Sequence, residues 1–200
     1  MIQNINTLAI VVFDGFETLD VMGPVEVFGR LPECEIVFIS QDGNKKKSRQ
    51  GVILETQLVN EPKFNAILIP GGQGTRSLVL QANYIEWLKK QADYASLCMT
   101  VCTGSALLAK TGLLDNIHAT SNKLAFDWVK AQNEKVLWQA CARWVKDGKF
   151  YTSSGISAGI DMSLQVVSDI YGYETANNIA TGMEYLWNRD CKNDPFCAAK

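Results

Sequence analysis

The segment Ser96 to Lys110, SLCMTVCTGSALLAK, constrains this chain most, because a short apolar, β-rich run passes through a cysteine directly into a helical stretch. A side chain at such a turn is held up and exposed, with the free N–H groups of the first helical turn around it. Cys102 is therefore the candidate nucleophile. The helix opening at Thr103 brings its positive end beside the sulfur and is expected to lower the thiol pKa from about 8.5 toward neutrality. A free cysteine is most often an inert, buried small hydrophobe. What sets Cys102 apart is Gly104, which removes a side chain where a close approach is needed, and the hydroxyls of Thr103 and Ser105 at the first turn.

Around this junction the chain alternates strand and helix patterns. Leu8 to Phe13, Glu35 to Ile39, Ala66 to Ile69 and Ala95 to Val101 are short apolar runs of the kind that form parallel strands buried on both faces. Helical stretches lie at Val21 to Arg30, Thr75 to Tyr94 and Thr103 to Lys110. Further strands are expected at His118 to Ser121, Val136 to Gln139, Ala142 to Lys146 and Phe150 to Ser153, the last two joined by the hairpin signal Asp147-Gly148. Closing helices follow near Ala158 to Tyr171 and Glu174 to Asn188. The alternation predicts an α/β fold: one domain, a three-layer sandwich with a mostly parallel sheet and helices on both faces. A tail is expected from about residue 189.

Composition narrows the function classes. A chain of 200 residues that is 47% hydrophobic and 20% charged can bury a sizeable core. The net charge of −2 gives no electrostatic footprint for nucleic acid or an anionic membrane. Lys45-Lys46-Lys47 with Arg49, after Asp42-Gly43-Asn44, reads as a solvated hairpin or loop. With no basic leader at MIQNINTLAIVVF and no apolar run near 18 residues, a cytoplasmic location is expected. The six cysteines, Cys34, Cys98, Cys102, Cys141, Cys191 and Cys197, show no metal-finger spacing, and no metal or cofactor is expected. Cys34, Cys98 and Cys141 read as strand or core residues. Cys191 and Cys197 read as free thiols in the tail, able to close a small loop if oxidised.

Ligands of open α/β sheets bind at the carboxyl ends of the strands, and several polar segments follow strands here. Pro70-Gly71-Gly72-Gln73-Gly74 is a glycine turn whose N–H groups suit an anion, although it lacks GK[ST] and GxGxxG and so is no nucleotide loop. The stretch after the first strand carries Asp14, Glu17 and Asp20. The hairpin leads into Ser153-Ser154-Gly155-Ile156-Ser157, where Ser157 suits a helix cap.

Five motifs in order, LDVMGP, IPGG, VCTGS, HATSNK and SSGISAGID, resemble the ThiJ/PfpI superfamily, whose fold is similar to class I glutamine amidotransferase domains. VCTGS and LDVMGP are most similar to the isocyanide hydratase branch. The resemblance implies that Cys102 attacks substrate, that Asp20 is the active carboxylate, that Gly71 and Gly72 supply backbone donors beside Thr103, and that Ile156 packs near the cysteine. It also implies a small-molecule substrate and a homodimer, the latter in line with the aromatic stretch Met183 to Trp187. Thr103 stands where protease-like members carry histidine, which speaks against proteolysis. Asn122 stands where glyoxalase-like members often carry histidine, and His118 reads as a surface or strand-end residue. The implied activity is hydration of an isocyanide to an N-substituted formamide. The alternatives are a cofactor-independent glyoxalase or carbonyl-repair enzyme, or a redox or ligand sensor.

Overall fold

The computed structural model describes residues 4–197. Its elements in chain order are β1 (Thr7–Val11), α1 (Thr18–Phe28), β2 (Glu35–Ser40), β3 (Lys46–Lys47), β4 (Ile53–Leu54), β5 (Gln57–Leu58), β6 (Ala66–Ile69), α2 (Thr75–Leu78), α3 (Ala82–Tyr94), β7 (Leu97–Thr100), α4 (Gly104–Lys110), β8 (His118–Ala119), α5 (Phe126–Lys130), β9 (Leu137–Trp138), β10 (Trp144–Asp147), β11 (Phe150–Ser153), α6 (Ala158–Tyr171) and α7 (Tyr173–Gly182). Seven strands form the main sheet in the order β10-β11-β7-β6-β1-β2-β5. All pairs are parallel except the β10–β11 hairpin.

The apolar runs behave as their composition demands. Every residue of β6, β7 and β11 is buried, as are four of the five in β1, so these central strands need cover on both faces. Helices α6 and α7 pack together and α1 packs on α6, while α4 gathers α2, α3 and α5 around it. These two groups supply the outer layers. Side chains such as Ile10, Leu68 and Met99 are fully withdrawn from water, each worth about 1.5–3 kcal/mol. At its edges the sheet is short: β5 contributes two residues, and β10 ends in Lys146 and Asp147.

Chain order places a reversal at β1, with β2 on one side and β6 on the other. The segments leaving β1, β6, β7 and β11 therefore emerge at one end of the sheet, where this topology opens a crevice.

Several expectations need correction. The helix expected over Thr75 to Tyr94 is two helices, interrupted by an extended Gln81 with the exposed Leu80 before it. The first helix begins at Thr18, three residues earlier than its apolar run suggests, which sets Asp20 in its first turn. Pro24 lies inside that helix and has no N–H to offer the Asp20 carbonyl four residues back. The last helix stops at Gly182, where Glu184 takes a φ of 51°. Beyond it the Tyr185 hydroxyl and the Trp187 indole N–H both reach Asp161, at 3.0 and 3.2 Å. The aromatic stretch thus packs on its own fold, and its burial no longer argues for a dimer. The basic run does form a hairpin, with β3 paired to β4 and Lys46 bonded to Asp42 at 2.7 Å.

The segment from about 189, expected as a tail, lies against the body. Arg143 N–H donates to the Cys191 carbonyl at 2.8 Å, and Asp194 N–H to the Cys141 carbonyl at 2.8 Å. Cys141 and Cys197 form a disulfide, with Cα atoms 5.0 Å apart. Cys141 is therefore not a core thiol and Cys197 is not a free one; pairing across 56 residues of separation leaves no local signature. Cys34, Cys98, Cys102 and Cys191 are free.

Candidate active site

Cys102 follows β7 with a φ of 56°, the left-handed region that costs a non-glycine residue of order 1–3 kcal/mol. The surroundings hold it there. Its N–H donates to the Ser154 carbonyl at 3.1 Å, and its carbonyl accepts the hydroxyls of Ser121 at 2.8 Å and Ser105 at 3.1 Å. Gly104 passes so close beneath the Ile69 carbonyl that no Cβ fits. The geometry is a strand-to-helix elbow with the sulfur turned into a ring of donors.

Those donors come from three segments. The Thr103 N–H, the Ile156 N–H and the Asn122 side chain all hydrogen-bond to the Cys102 side chain and favour its thiolate. Ile156 offers its N–H from a second left-handed residue, φ 50°, while its side chain is 39% exposed; its tie to the sulfur is through the backbone. Asn122 Oδ1 accepts the Ala125 N–H at 3.0 Å, which leaves the amide nitrogen for the sulfur. Gly155 makes room for that nitrogen, since a Cβ there would collide with Asn122 Nδ2. The donor role of Asn122 was not legible in the sequence, where the one signal was that it stands at the position of a histidine in other branches.

Opposing these donors is burial. Cys102 is only 6% exposed, and desolvation, with the charge of Asp20 next, pushes its thiol up to about 12. The depressed pKa expected from the helix end is not met, because a short helix dipole cannot offset nearly complete burial beside a carboxylate.

Asp20 is fully buried, and burial raises its pKa from 3.8 to about 8 against the stabilising Gly71 N–H, which donates to Oδ2 at 2.8 Å. Its carboxyl lies in hydrogen-bonding reach of the Cys102 side chain, and Oδ1 has no aligned donor of its own. Glu17 contributes charge rather than contact: its carboxylate takes the Gln50 amide, and its repulsion helps to raise Asp20. Asp14 is exposed and accepts the Lys47 N–H at 3.0 Å.

Gly71 and Gly72 are where the sequence puts them, but their N–H groups are already engaged. Gly71 holds Asp20, and Gly72 donates to Thr103 Oγ1 at 3.0 Å. The loop thus fixes the acid and the helix mouth. A Cβ on Gly71 would sit 2.5 Å from Thr103 N and 2.9 Å from Cys102 Cβ. Ser157 stands at the N-cap of α6 without a side-chain cap bond. His118 is exposed and pairs with Asp147 at 3.0 Å, far in role from the sulfur.

Beside Asn122 and Ile156 opens a pocket of about 350 Å³, walled also by Leu124, Gly155 and Phe196. Phe196 belongs to the segment tied down by the Cys141–Cys197 disulfide and by the buried Asp194, whose Oδ1 accepts the Phe196 N–H at 2.9 Å. The resemblance placed Ile156 beside the cysteine, whereas Leu124 and Phe196 were not expected at the site. Among the described residues there is no group of three or more His, Cys, Asp or Glu side chains able to hold a metal ion, and no helix long and apolar enough to cross a membrane.

Known proteins are similar to this chain in sequence and in fold. The chain is 29% identical over 180 residues to an isonitrile hydratase of Pseudomonas putida, covering 89% of this chain and 78% of that one. It is 27% identical over 146 residues to the HTH-type transcriptional regulator GbdR of Pseudomonas aeruginosa, covering 71% of this chain but 39% of the regulator. A crystal structure of a ThiJ/PfpI family protein from Pseudomonas syringae superposes with a TM-score of 0.83 at 24% identity, over 99% of this chain and 80% of that one. The DJ-1/PfpI family model matches residues 6–169, and the chain belongs to the DJ-1/PfpI family.

Proposed function

We propose that the protein is a cysteine-dependent hydratase of a small electrophile, with an isocyanide as the substrate and an N-substituted formamide as the product. The observation that carries this is the pairing of a donor-ringed thiol, Cys102, with a buried carboxyl, Asp20, that holds its proton at neutral pH. A terminal isocyanide carbon needs a soft nucleophile and a proton at the same atom. As Cys102 sulfur bonds to that carbon, Asp20 gives its proton to the carbon and takes the thiol proton, so no charge is left in the buried site. The adduct is a thioimidate, R–N=CH–S–Cys. Water then adds to the same carbon, the nitrogen is protonated, and the C–S bond breaks to return the thiol and release R–NH–CHO. Donors from Thr103, Ile156 and Asn122 stabilise the sulfur whenever it carries charge, on attack and on departure.

The test is a panel of an alkyl isocyanide, methylglyoxal and a peptide, assayed with the natural protein and Cys102→Ala. Formamide that depends on Cys102 is the expected result. Lactate from methylglyoxal without formamide would replace this reading by the glyoxalase one, and peptide cleavage would overturn both. A ligand-sensing role is a second reading, favoured by the similarity to a transcriptional regulator; binding of the isocyanide without turnover would select it. A homodimer and a cytoplasmic setting are proposed with the hydratase reading, the former resting on membership of the DJ-1/PfpI family.

A further inference from the structure

Arg76, the second residue of α2, has no role in the chemistry above and an unusual setting. Its guanidinium carbon lies 3.4 Å from the centroid of the Trp128 ring on α5. That stacking fixes the plane of the fork and so the directions of its N–H groups. Nη1 is buried without a hydrogen-bond partner. Among the described residues no carboxylate pairs with Arg76, whereas Arg30 has Glu26 and Arg143 has Asp161. A stacked cation with an orphaned, buried donor is an incomplete anion site.

Its position makes that unpartnered donor relevant to Cys102. The preceding residue, Thr75, is fully buried, and its hydroxyl lies 3.2 Å from that of Thr103, the residue after the nucleophile. Arg76 therefore leaves the backbone one residue from a contact that is itself one residue from the Cys102 position, and reaches from α2 to Trp128 on α5. Partial burial lowers the Arg76 pKa, and the Cys102 charge opposes that fall, so the two groups sense one another. Asp20, neutral in its raised state, offers the guanidinium no ion pair.

We propose that Arg76 anchors an anionic group, a carboxylate, of a small substrate whose electrophilic carbon is presented to Cys102. This rests on Cys102 being the nucleophile of the proposed reaction and narrows its substrate to acids such as an isocyanide bearing a carboxylate. The bidentate fork of arginine suits a planar carboxylate.

The first measurement is independent of turnover. Iodoacetate and iodoacetamide both alkylate the sulfur, forming a C–S bond as iodide leaves, and differ chiefly in the carboxylate. Their rates at Cys102 are followed by peptide mass mapping in the natural protein, Arg76→Gln and Arg76→Lys. The ratio of iodoacetate to iodoacetamide rates is expected to fall about tenfold in Arg76→Gln, as for the loss of one charge-assisted hydrogen bond, and to be only partly restored in Arg76→Lys, which keeps the charge without the fork. An unchanged ratio overturns the proposal, as does an equal slowing of both reagents, which would mean a change in the thiol's surroundings. The second measurement compares isocyanoacetate with its methyl ester as substrates. KM for the acid is expected to rise about tenfold in Arg76→Gln while the ester is unaffected. Failure to hydrate either compound, with the alkylation ratio still dependent on Arg76, counts against the hydratase reading and for the anion anchor.

Discussion

Replacing Asp20 by Asn separates the proton from the shape of the site. The amide keeps the size of the carboxyl and an oxygen for the Gly71 N–H, but has no transferable proton. With a pKa of about 8, roughly nine in ten Asp20 side chains are protonated at pH 7, so asparagine copies the prevailing neutral form. Turnover is expected to fall by about 10²- to 10⁴-fold, the usual worth of a positioned acid–base group. Cys102 should remain alkylatable. Its alkylation profile should move to lower pH, because the Asp20 charge that raises the thiol is gone. Stability gives an independent reading. A carboxyl whose folded pKa is raised from 3.8 contributes stability that is fully present below about pH 4 and is lost as pH climbs toward 8. Over that window the natural protein should lose of order 5 kcal/mol relative to Asp20→Asn, read as diverging urea midpoints between pH 4.5 and pH 8. Near-full activity in Asp20→Asn, or midpoints that shift in parallel with pH, would refute the reasoning. Loss of activity in Glu17→Gln alongside an active Asp20→Asn would move the role to Glu17.

Asn122→Ala removes a donor to the sulfur and should raise the thiol pKa and lower turnover by about 10- to 100-fold, and Gly155→Ala should do the same by displacing the amide; pH profiles of alkylation check both. Reducing the Cys141–Cys197 disulfide should cost about 2–4 kcal/mol in stability, measured as a lower thermal midpoint in dithiothreitol that Cys197→Ser reproduces without reductant. Arg143→Met leaves the buried Asp161 carboxylate without its ion pair at 2.6 Å and should destabilise by about 3–5 kcal/mol in urea titration.

What the sequence revealed and what it hid divide along local and non-local lines. The β7–Cys102–α4 elbow was legible because its signals are contiguous: an apolar run, then a cysteine, then a small residue where the chain must pass close to Ile69. Asp20 was legible through the resemblance of LDVMGP. Ile156 was legible in the same way as a neighbour of the cysteine, but that its N–H is the contact was not, and neither was the donor role of Asn122, because both depend on backbone and amide directions set by Gly155 and Ala125. The thiol pKa was misjudged for a related reason: a helix end is visible in sequence, whereas the degree of burial beside Asp20 is a property of the assembled fold. The C-terminal segment was read as a tail since its polar composition hides three anchors, Cys191, Asp194 and Cys197, each of which meets a partner near Cys141 or Arg143.

The short borders of the main sheet bear on how the protein behaves at high concentration. A border strand of two residues at β5 offers little backbone for a neighbouring molecule to zip onto, and at β10 the charges of Lys146 and Asp147 oppose such stacking. The segments most able to form cross-β ladders, LAIVVF and AILI, occupy the middle of the sheet, where both flanks are taken. Self-association through strands is therefore a hazard of the unfolded chain rather than of the native one, and conditions that loosen the core, not those that merely crowd it, are the ones that should turn solutions cloudy.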